Sequence, residues 1–229
     1  MSRRLLTRVG IGAIGALLGS SEGWTDPAGE CPIATLACNF RPEVRAEPVA
    51  TINCDDFNVF GGAGYDLVHG QWHAEASGLY GLNVSVLTED RFHLSAAAGS
   101  PTFPLIVRLY ASGSATRSGV GGEGSALVRL SVPGHGSTER RTSIPYKESG
   151  NSFGEWLELS VMSAPDDSIS VVVQLESSSI EHGSGYAFAI LTFGGLPAGA
   201  FIRSCHGFEL DGPTPTLPRS WGSLKAGYR

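Results

Sequence analysis

The sequence predicts an all-β fold, an antiparallel sandwich or jelly roll with an irregular N-terminal arm and a C-terminal tail. Glycine and proline supply 31 and 13 of the 229 residues, a content that long helices would not tolerate. Between residues 51 and 208, apolar residues recur at every second position in short segments separated by Gly, Ser, Pro and Asp clusters, which is the pattern of many short strands. Apolar residues make up 41% of the chain, enough for the core of one domain of ordinary size.

The first element along the chain is an export signal. Residues 1–8 contain three arginines and no acid, and residues 9–18 form a ten-residue apolar run, which are the proportions of a signal peptide. We assign residues 1–21 to this signal, and its arginines fit both the twin-arginine and the ordinary secretory route. The run is too short to span a bilayer and no later segment is long enough. We therefore expect no transmembrane segment and an exported protein, located in the periplasm, at the cell surface or outside the cell.

The arm, residues 22–50, has turn residues and scattered charge without a sustained period, so we predict irregular structure there. The chain has four cysteines, Cys31, Cys38, Cys54 and Cys205. An even set fits two disulfides in an oxidising compartment. Three connectivities stay open, including one that ties the arm together through Cys31 and Cys38. No C-x-x-C pair occurs, which argues against a structural metal site.

The domain itself, residues 51–208, is expected to contain short strands that each bury one face. Three segments alternate most clearly, with apolar residues at Tyr80, Leu82, Val84 and Val86, at Leu157, Leu159 and Val161, and at Ile169, Val171, Val173 and Leu175. Further candidates are residues 105–112, 125–132 and 186–193. Strands this short favour a sandwich or jelly roll over a helix-crossover architecture. Residues 209–229 are Pro-rich and end in a basic aromatic stretch, which predicts an extended linker and tail.

Charge and motif spacing argue against two classes of function. Only 17% of residues are charged and the net charge is −6, so the chain lacks the basic surface that nucleic acid binding requires. Residues 150–154 match G-x-S-x-G around Ser152, but a nucleophile elbow needs a helix after the serine and strand-like sequence follows instead. We therefore predict a Gly-Ser hairpin turn there, no catalytic residue, and a protein that is not an enzyme.

Histidine and aspartate positions predict no metal site. His69 and His73 are four residues apart, and on a strand this separates them by roughly 13 Å, too far for one ion. Aspartate pairs at 55–56 and 166–167 supply hard oxygen ligands but lack the spacing of a calcium loop, so we interpret both as turn formers. Calcium at one of them is the alternative, and no other cofactor is expected.

Aromatic residues on the predicted strands are the candidates for ligand binding. Aromatic faces stack on sugar rings, and Trp72, Tyr110 and Trp156 are the residues that we select for such a role. The alternative is that these side chains pack in the core or in a subunit interface.

Several short motifs follow one another in a fixed order along residues 54–197. They are Gly70-Gln71-Trp72, Gly78-Leu79-Tyr80 at the start of an alternating segment, Leu157-Glu158-Leu159 followed by Asp166-Asp167, and Phe193-Gly194-Gly195. In this order and spacing the chain resembles the trimeric jelly-roll domain of the complement C1q and tumour-necrosis-factor superfamily.

The resemblance implies a homotrimer in which one sheet packs against neighbouring subunits while loops face the ligand. Because no Gly-X-Y repeat precedes the domain, the domain itself would hold the trimer. In such a jelly roll the first and last strands are neighbours, which implies a disulfide between Cys54 and Cys205. The function implied is an exported, non-enzymatic recognition or adhesion module for a glycan or a surface protein. The alternative is a structural subunit of a cell-surface, appendage or extracellular matrix assembly.

Overall fold

The part of the chain that the structure describes contains fourteen β-strands, joined by turns and loops. A computed structural model describes residues 31, 33–39, 41–55, 58–97, 100–117, 122–144 and 150–213. The predicted export signal and residues 214–229 of the predicted tail lie outside these ranges. None of the described residues is helical, and none therefore belongs to a helix that could cross a membrane. The strands are β1 (Ala34–Cys38), β2 (Arg41–Arg45), β3 (Val49–Asn53), β4 (Val59–Asp66), β5 (Gln71–Gly78), β6 (Leu82–Ser95), β7 (Phe103–Arg117), β8 (Glu123–Val132), β9 (Gly136–Ser143), β10 (Gly150–Ser163), β11 (Ser168–Ile180), β12 (Gly183–Gly194), β13 (Phe201–Ser204) and β14 (Glu209–Asp211).

The strands form two antiparallel sheets. Sheet A has the order β14-β13-β6-β11-β8-β9, and β1, which also pairs with β2, joins it at β6. Sheet B has the order β10-β7-β12-β5-β4-β3. From β5 to β13 the chain passes from one sheet to the other at every connection except the β8–β9 hairpin, which is the winding of a jelly roll. The predicted all-β antiparallel sandwich is confirmed.

Strand β6 organises sheet A because three other strands pair with it directly. Strand β11 pairs along one edge of β6, whereas β1 and β13 share the other edge, β1 along its first half and β13 along its last residues. Leu82, Val84 and Val86 are buried, as their alternation predicts. Tyr80 precedes the strand and is 61% exposed, so the predicted buried face begins only at Leu82.

The inner faces of both sheets enclose one apolar core. The predicted inner faces of β10 and β11 are buried, except that Leu159 is only partly buried. The rings of Phe92, Phe193 and Phe208 meet at centroid distances of 4.9 to 5.8 Å in tilted and edge-on arrangements, geometries that aromatic pairs prefer. This cluster joins β6, β12 and the segment that precedes β14.

Glycines bring the two sheets into backbone contact at one end of the sandwich. A Cβ on Gly183 of β12 would lie 1.8 Å from the carbonyl oxygen of Glu123, and one on Gly185 would lie 2.1 Å from that of Ser125. Only a residue without a side chain fits at such positions. The sandwich therefore narrows at the start of β12, and large side chains on that part of the strand have room only on its outer face.

Two disulfides connect the N-terminal strands to the rest of the domain. Cys31 bonds to Cys205 and Cys38 bonds to Cys54, with Cα–Cα distances of 5.6 and 5.7 Å, within the range that disulfides span. All four cysteines are thus disulfide-bonded, as predicted. The Cys54–Cys205 disulfide implied by the resemblance is wrong, and so is a tie between Cys31 and Cys38.

The reason for this pairing is that the predicted irregular arm is partly strand. Strand β1 adds to sheet A beside β6, and β3 adds to the edge of sheet B. Cys31 therefore comes close to the turn after β13, and Cys38 at the end of β1 crosses to Cys54 just after β3. The prediction failed because five-residue strands of mixed polarity carry almost no periodic signal and form through distant partners. At the other end, β14 extends the domain three residues into the predicted tail.

A buried carboxylate–imidazole pair holds the turn between β13 and β14. Asp90 of β6 lies in the core, and its Oδ1 is 2.9 Å from His206 Nδ1, with both side chains 4% exposed. In the same turn Ser204 Oγ accepts hydrogen bonds from the backbone N–H groups of His206 and Phe208. Because this turn carries Cys205, the ionisable pair and the disulfide fix the same segment against sheet A.

Removing the two disulfides separately should destabilise the fold unequally. Cys31 and Cys205 are 174 residues apart, and Cys38 and Cys54 are 16 apart, so the chain-entropy model assigns about 5 and about 3 kcal/mol to them. We expect Cys31→Ser/Cys205→Ser to lower the free energy of unfolding more than Cys38→Ser/Cys54→Ser, as measured by equilibrium guanidinium denaturation. Equal losses, or a larger loss for the second pair, would contradict this assignment.

Candidate functional site

The outer faces of the two sheets differ in chemistry. Sheet A presents mainly polar and ion-paired side chains; Arg129 Nε donates to Glu139 Oε2 at 2.7 Å, and Gln174 Nε2 donates to Glu176 Oε1 at 2.6 Å. Sheet B presents a group of aromatic side chains on its outer face. Contiguous exposed apolar surface marks binding sites in soluble proteins. The outer face of sheet B is therefore the candidate site.

Trp156, Tyr110 and Ile190 form one row across sheet B. The strand register places Trp156 of β10 opposite Tyr110 of β7, and Tyr110 opposite Ile190 of β12. The Trp156 and Tyr110 rings meet edge to face, with centroids 5.4 Å apart. Trp156 lies on the edge strand of the sheet and is 51% exposed. The fold thus brings two of the three predicted ligand-binding residues together on one solvent-accessible surface.

Strand β12 continues this surface away from the row. Tyr186, Phe188 and Ile190 occupy alternate positions of β12 and share its outer face, and Tyr186 is 41% exposed. The intervening Ala187 and Ala189 point inward and are fully buried. From Tyr186 to Ile190 the large side chains of this strand therefore face outward and the alanines face the core, whereas Leu191 and Phe193 further along the strand are buried.

A cleft of about 380 Å³ lies at the far end of this surface, between β4 and β12. Phe60 of β4 and Tyr186 of β12 line it, together with Glu75, Ser77 and Ser184. The register puts Glu75 opposite Tyr186, and Ser77 opposite both Phe60 and Ser184. Phe60 is 64% exposed. We call this feature the Phe60–Tyr186 cleft.

Small polar residues separate the aromatic rings. Ser112 of β7 lies opposite Gly154 of β10, and Ser114 lies opposite Ser152. A Cβ on Gly154 would lie 3.1 Å from Tyr110 Oη, so the glycine leaves room beside that hydroxyl. Hydroxyl groups, which both donate and accept hydrogen bonds, thus alternate with rings. We call this surface the aromatic face, and its large side chains are those of Trp156, Tyr110, Ile190, Phe188, Tyr186 and Phe60.

Ser152 of the G-x-S-x-G match lies within strand β10. It pairs with Ser114 of β7, and strand geometry continues to Ser163. The predicted hairpin turn at this place is therefore wrong, because the five residues extend an edge strand. This geometry also lacks the strand-to-helix turn on which a nucleophile elbow depends.

Trp72, the third predicted ligand-binding residue, belongs to the core. It is 2% exposed, and its Nε1 donates a hydrogen bond of 2.8 Å to Thr88 Oγ1. Trp72 lies on β5 of sheet B and Thr88 on β6 of sheet A, so this bond joins the two sheets. The predicted ligand-binding role of Trp72 is wrong because its strand position points inward, whereas that of Trp156 points outward.

The sequence pattern did not identify Phe60, Tyr186 or Phe188 as site residues. Around Tyr186, aromatic and aliphatic residues alternate with glycine and alanine, so both faces of the strand look apolar in the sequence. The usable signal was the difference in side-chain size, because small residues on one face indicate close packing there. Phe60 stands next to a Gly-rich segment that carries no comparable alternation.

His69 forms a local pair in the turn between β4 and β5. Its Nδ1 lies 2.7 Å from Asp66 Oδ2, and its backbone N–H donates to Asp66 Oδ1 at 3.0 Å. Burial favours a higher pKa for the Asp66 carboxyl, but hydrogen bonds from His69 outweigh it and hold that pKa below its usual value. His73 lies separately, on the outer face of β5. Among the described residues, no group of three His, Cys, Asp or Glu side chains is placed to hold a metal ion.

The aspartates at 166–167 act as turn formers, as predicted. Asp166 adopts a positive φ of 66° in the turn between β10 and β11, a conformation that aspartate tolerates better than most residues. The Asp167 carboxylate accepts a hydrogen bond from the backbone N–H of Ala164. Both aspartates thus have a structural role in the turn between β10 and β11.

Comparison with known proteins gives no family. No protein-family model and no curated protein matches the sequence. One similar solved structure is that of TmCBM61 in complex with β-1,4-galactotriose, at 10% identity over 63% of this chain and 88% of that one, with a TM-score of 0.28. Another comes from carbohydrate-binding modules of the β-sandwich superfamily, at 8% identity over 73% and 87% of the two chains, with a TM-score of 0.21. At such scores neither likeness supports a function for this chain, and the resemblance to the C1q and tumour-necrosis-factor superfamily stays an expectation.

Substitution by phenylalanine should destabilise the protein at Trp72 but not at Trp156. Trp72→Phe leaves the buried Thr88 hydroxyl without its partner, which we expect to lower the free energy of unfolding by about 1 to 3 kcal/mol. Trp156→Phe changes an exposed position and should stay within about 0.5 kcal/mol of the wild type. Urea denaturation of both variants checks this contrast. A stability loss that is larger for Trp156→Phe would show that the assignment of inner and outer faces is wrong.

Proposed function

We propose that this protein is a non-catalytic recognition module that binds a carbohydrate chain on the aromatic face of sheet B. The observation that carries the proposal is the set of aromatic side chains from Trp156 to Phe60 on one sheet face, of which Trp156, Tyr186 and Phe60 are exposed, interleaved with serine hydroxyls. Aromatic rings offer flat apolar area to the C–H faces of sugars. The neighbouring hydroxyls offer partners for sugar hydroxyls.

The dimensions of the face favour an extended ligand. Trp156 and Phe60 are four strands apart, and six residues apart along the strand direction. With the usual strand spacing and rise, their Cα atoms are about 25 to 30 Å apart. A single sugar cannot reach both ends, so an oligosaccharide or polysaccharide chain fits this surface better than a monosaccharide.

Charge favours carbohydrate over nucleic acid on this face. Bases also stack on aromatic rings, but the chain has a net charge of −6, which opposes a phosphate backbone. The cation Arg108 on the same face is 2.8 Å from the Glu158 carboxylate. This guanidinium is therefore already neutralised by a neighbour.

We also propose that the module is exported. Two disulfides cross-link the domain, and such bonds persist in oxidising compartments outside the cytosol. The predicted signal over residues 1–21 supports the same location. A protein outside the cytosol would have access to cell-surface and extracellular glycans.

A second candidate function is that of a structural subunit. Strand β10 is an edge of sheet B, and it exposes Trp156 and Met162 at 51% and 62%. Edge strands with exposed apolar side chains tend to pair with other chains. In this alternative the aromatic face contacts further copies of the chain in a cell-surface, appendage or extracellular matrix assembly.

Binding should depend on the aromatic face and not on the opposite one. We expect the oxidised wild-type protein to bind carbohydrate chains on a glycan array, and Trp156→Ala and Tyr186→Ala each to weaken the best interaction about tenfold, since a stacked ring contributes on the order of 1.4 kcal/mol. Leu87→Ala removes an exposed apolar side chain (44%) from the outer face of sheet A and is the matched control. The proposal fails if no glycan binds, or if Leu87→Ala weakens binding as much.

Oligomeric state separates the two candidate functions. We propose that the recognition module is a homotrimer, as the resemblance implies. Size-exclusion chromatography with light scattering, over a range of concentrations, should then give a discrete mass of three mature chains. We expect Met162→Glu to leave glycan binding intact whether or not it changes the mass. A mass that grows with concentration and collapses in Met162→Glu would favour the structural subunit, and a monomer at all concentrations would contradict the trimer.

A further inference from the structure

We propose that the Phe60–Tyr186 cleft binds the protonated amino group of an amino sugar, so that the preferred ligands are glycans with free rather than acylated amino groups. This inference rests on the proposed carbohydrate function and names the ligand class for one end of the aromatic face. It follows from the charge and the aromatic walls of the cleft, which differ from those of the row that contains Trp156.

Glu75 is the charged group of the cleft. Of the described residues that line it, Glu75 alone carries a charged side chain. The carboxylate is exposed on the outer face of β5, directly opposite Tyr186 in the register. A negative charge thus stands beside an exposed ring at the point where a bound sugar would lie.

The neighbours of Glu75 do not neutralise it. The residue opposite Glu75 on β4 is Gly62, which has no side chain that could pair with the carboxylate. A Cβ at this position would lie 2.8 Å from the carbonyl oxygen of Ile52. His73 lies two residues before Glu75 on β5 and opposite Gly64 of β4. Its Cε1 atom is 2.5 Å from the position that a Cβ on Gly64 would occupy, so the imidazole lies beside its own partner on β4. Among the described residues, no ion pair is formed by Glu75, whereas Arg108 on the same face pairs with Glu158.

Two exposed rings complete a site for a cation. Phe60 and Tyr186 line the cleft and are 64% and 41% exposed. The face of an aromatic ring attracts an ammonium group through its quadrupole, and a carboxylate attracts the same group by charge. An acidic sugar would be repelled by Glu75. An N-acetylated sugar would stack without gaining either attraction.

The remaining lining favours a sugar over a bare cation. Ser77 and Ser184 lie opposite each other in the register and both line the cleft. Ser184 Oγ already hydrogen-bonds Thr116 Oγ1, and because a hydroxyl can both donate and accept, Ser77 and Ser184 still offer hydrogen bonds to ring hydroxyls of a sugar whose amine meets Glu75. The cleft also continues into the aromatic face through the exposed Tyr186 and the partly exposed Phe188, so the next sugars of a chain would lie on aromatic rings.

The test compares glucosamine and N-acetylglucosamine oligomers of equal length by titration calorimetry in a mildly acidic buffer. We expect the wild-type protein to bind the glucosamine oligomer roughly tenfold more tightly, the size of effect that one cation–π contact and one exposed ion pair supply together. Glu75→Gln should reduce this preference to within about twofold, and Phe60→Ala should lower it without removing it. Added salt should weaken the preference in the wild type but not in Glu75→Gln, because salt screens exposed charges.

Glu89→Gln is the matched control, since Glu89 is exposed on the outer face of sheet A and the substitution makes the same change in net charge. We expect it to retain the full preference. The inference is overturned if the two oligomers bind equally, if Glu75→Gln keeps the preference, or if Glu89→Gln removes it. It is also overturned if a lysine-rich peptide binds as tightly with the same dependence on Glu75, because the cleft would then recognise a cation without the sugar.

Loss of the amino-sugar preference can be distinguished from failure of the proposed carbohydrate function. If N-acetylglucosamine oligomers or another uncharged glycan bind and depend on Trp156, the function stands while the amino-sugar preference falls. If no glycan binds the wild-type protein, both proposals fall together.

Discussion

The close approach of the two sheets at the start of β12 is the constraint on which the candidate site depends. At Gly183 and Gly185 the opposing backbone leaves no space for a side chain, and the next inward positions hold only alanine. Side chains alternate strictly between the faces of a strand, so the large residues Tyr186 and Phe188 must face solvent. A slip of one residue would reverse this arrangement and bury the rings where no volume exists for them. The tight packing of the core and the exposed aromatic face are therefore two results of one register.

The edges of the sandwich are closed by different means on its two sides. On one side, β2 and β3 extend the sheets, and the Cys38–Cys54 disulfide joins the strand ends across them. On the other side, Arg140 of β9 forms an ion pair with Glu155 of β10, and the exposed ion pair adds little stability. The face that carries Trp156 thus borders the side of the sandwich that is held by an ion pair and not by a disulfide. This position suits a surface that stays accessible to a ligand or to a second subunit.

Aromatic residues serve two purposes in this domain, and strand position alone separates them. Trp72 joins the sheets through its hydrogen bond to Thr88, whereas Trp156 packs against Tyr110 on the outer face of sheet B. The proposed carbohydrate function uses only the second group. Glu75 adds a single charge at one end of that group, and this charge makes the two ends of the face chemically different.

The sequence by itself determined the fold class, the alternating inner faces of β6, β10 and β11, and the oxidised state of the four cysteines. These features are local, because a period of two and an even cysteine set are visible without knowing what packs against what. Only the tertiary structure decided that Trp72 is buried and Trp156 exposed, which cysteines pair, and that part of the arm forms strands. Each of these depends on contacts between residues far apart in the chain. Along β12 both faces are apolar, and the identity of the inner face is fixed only by the sheet that covers it.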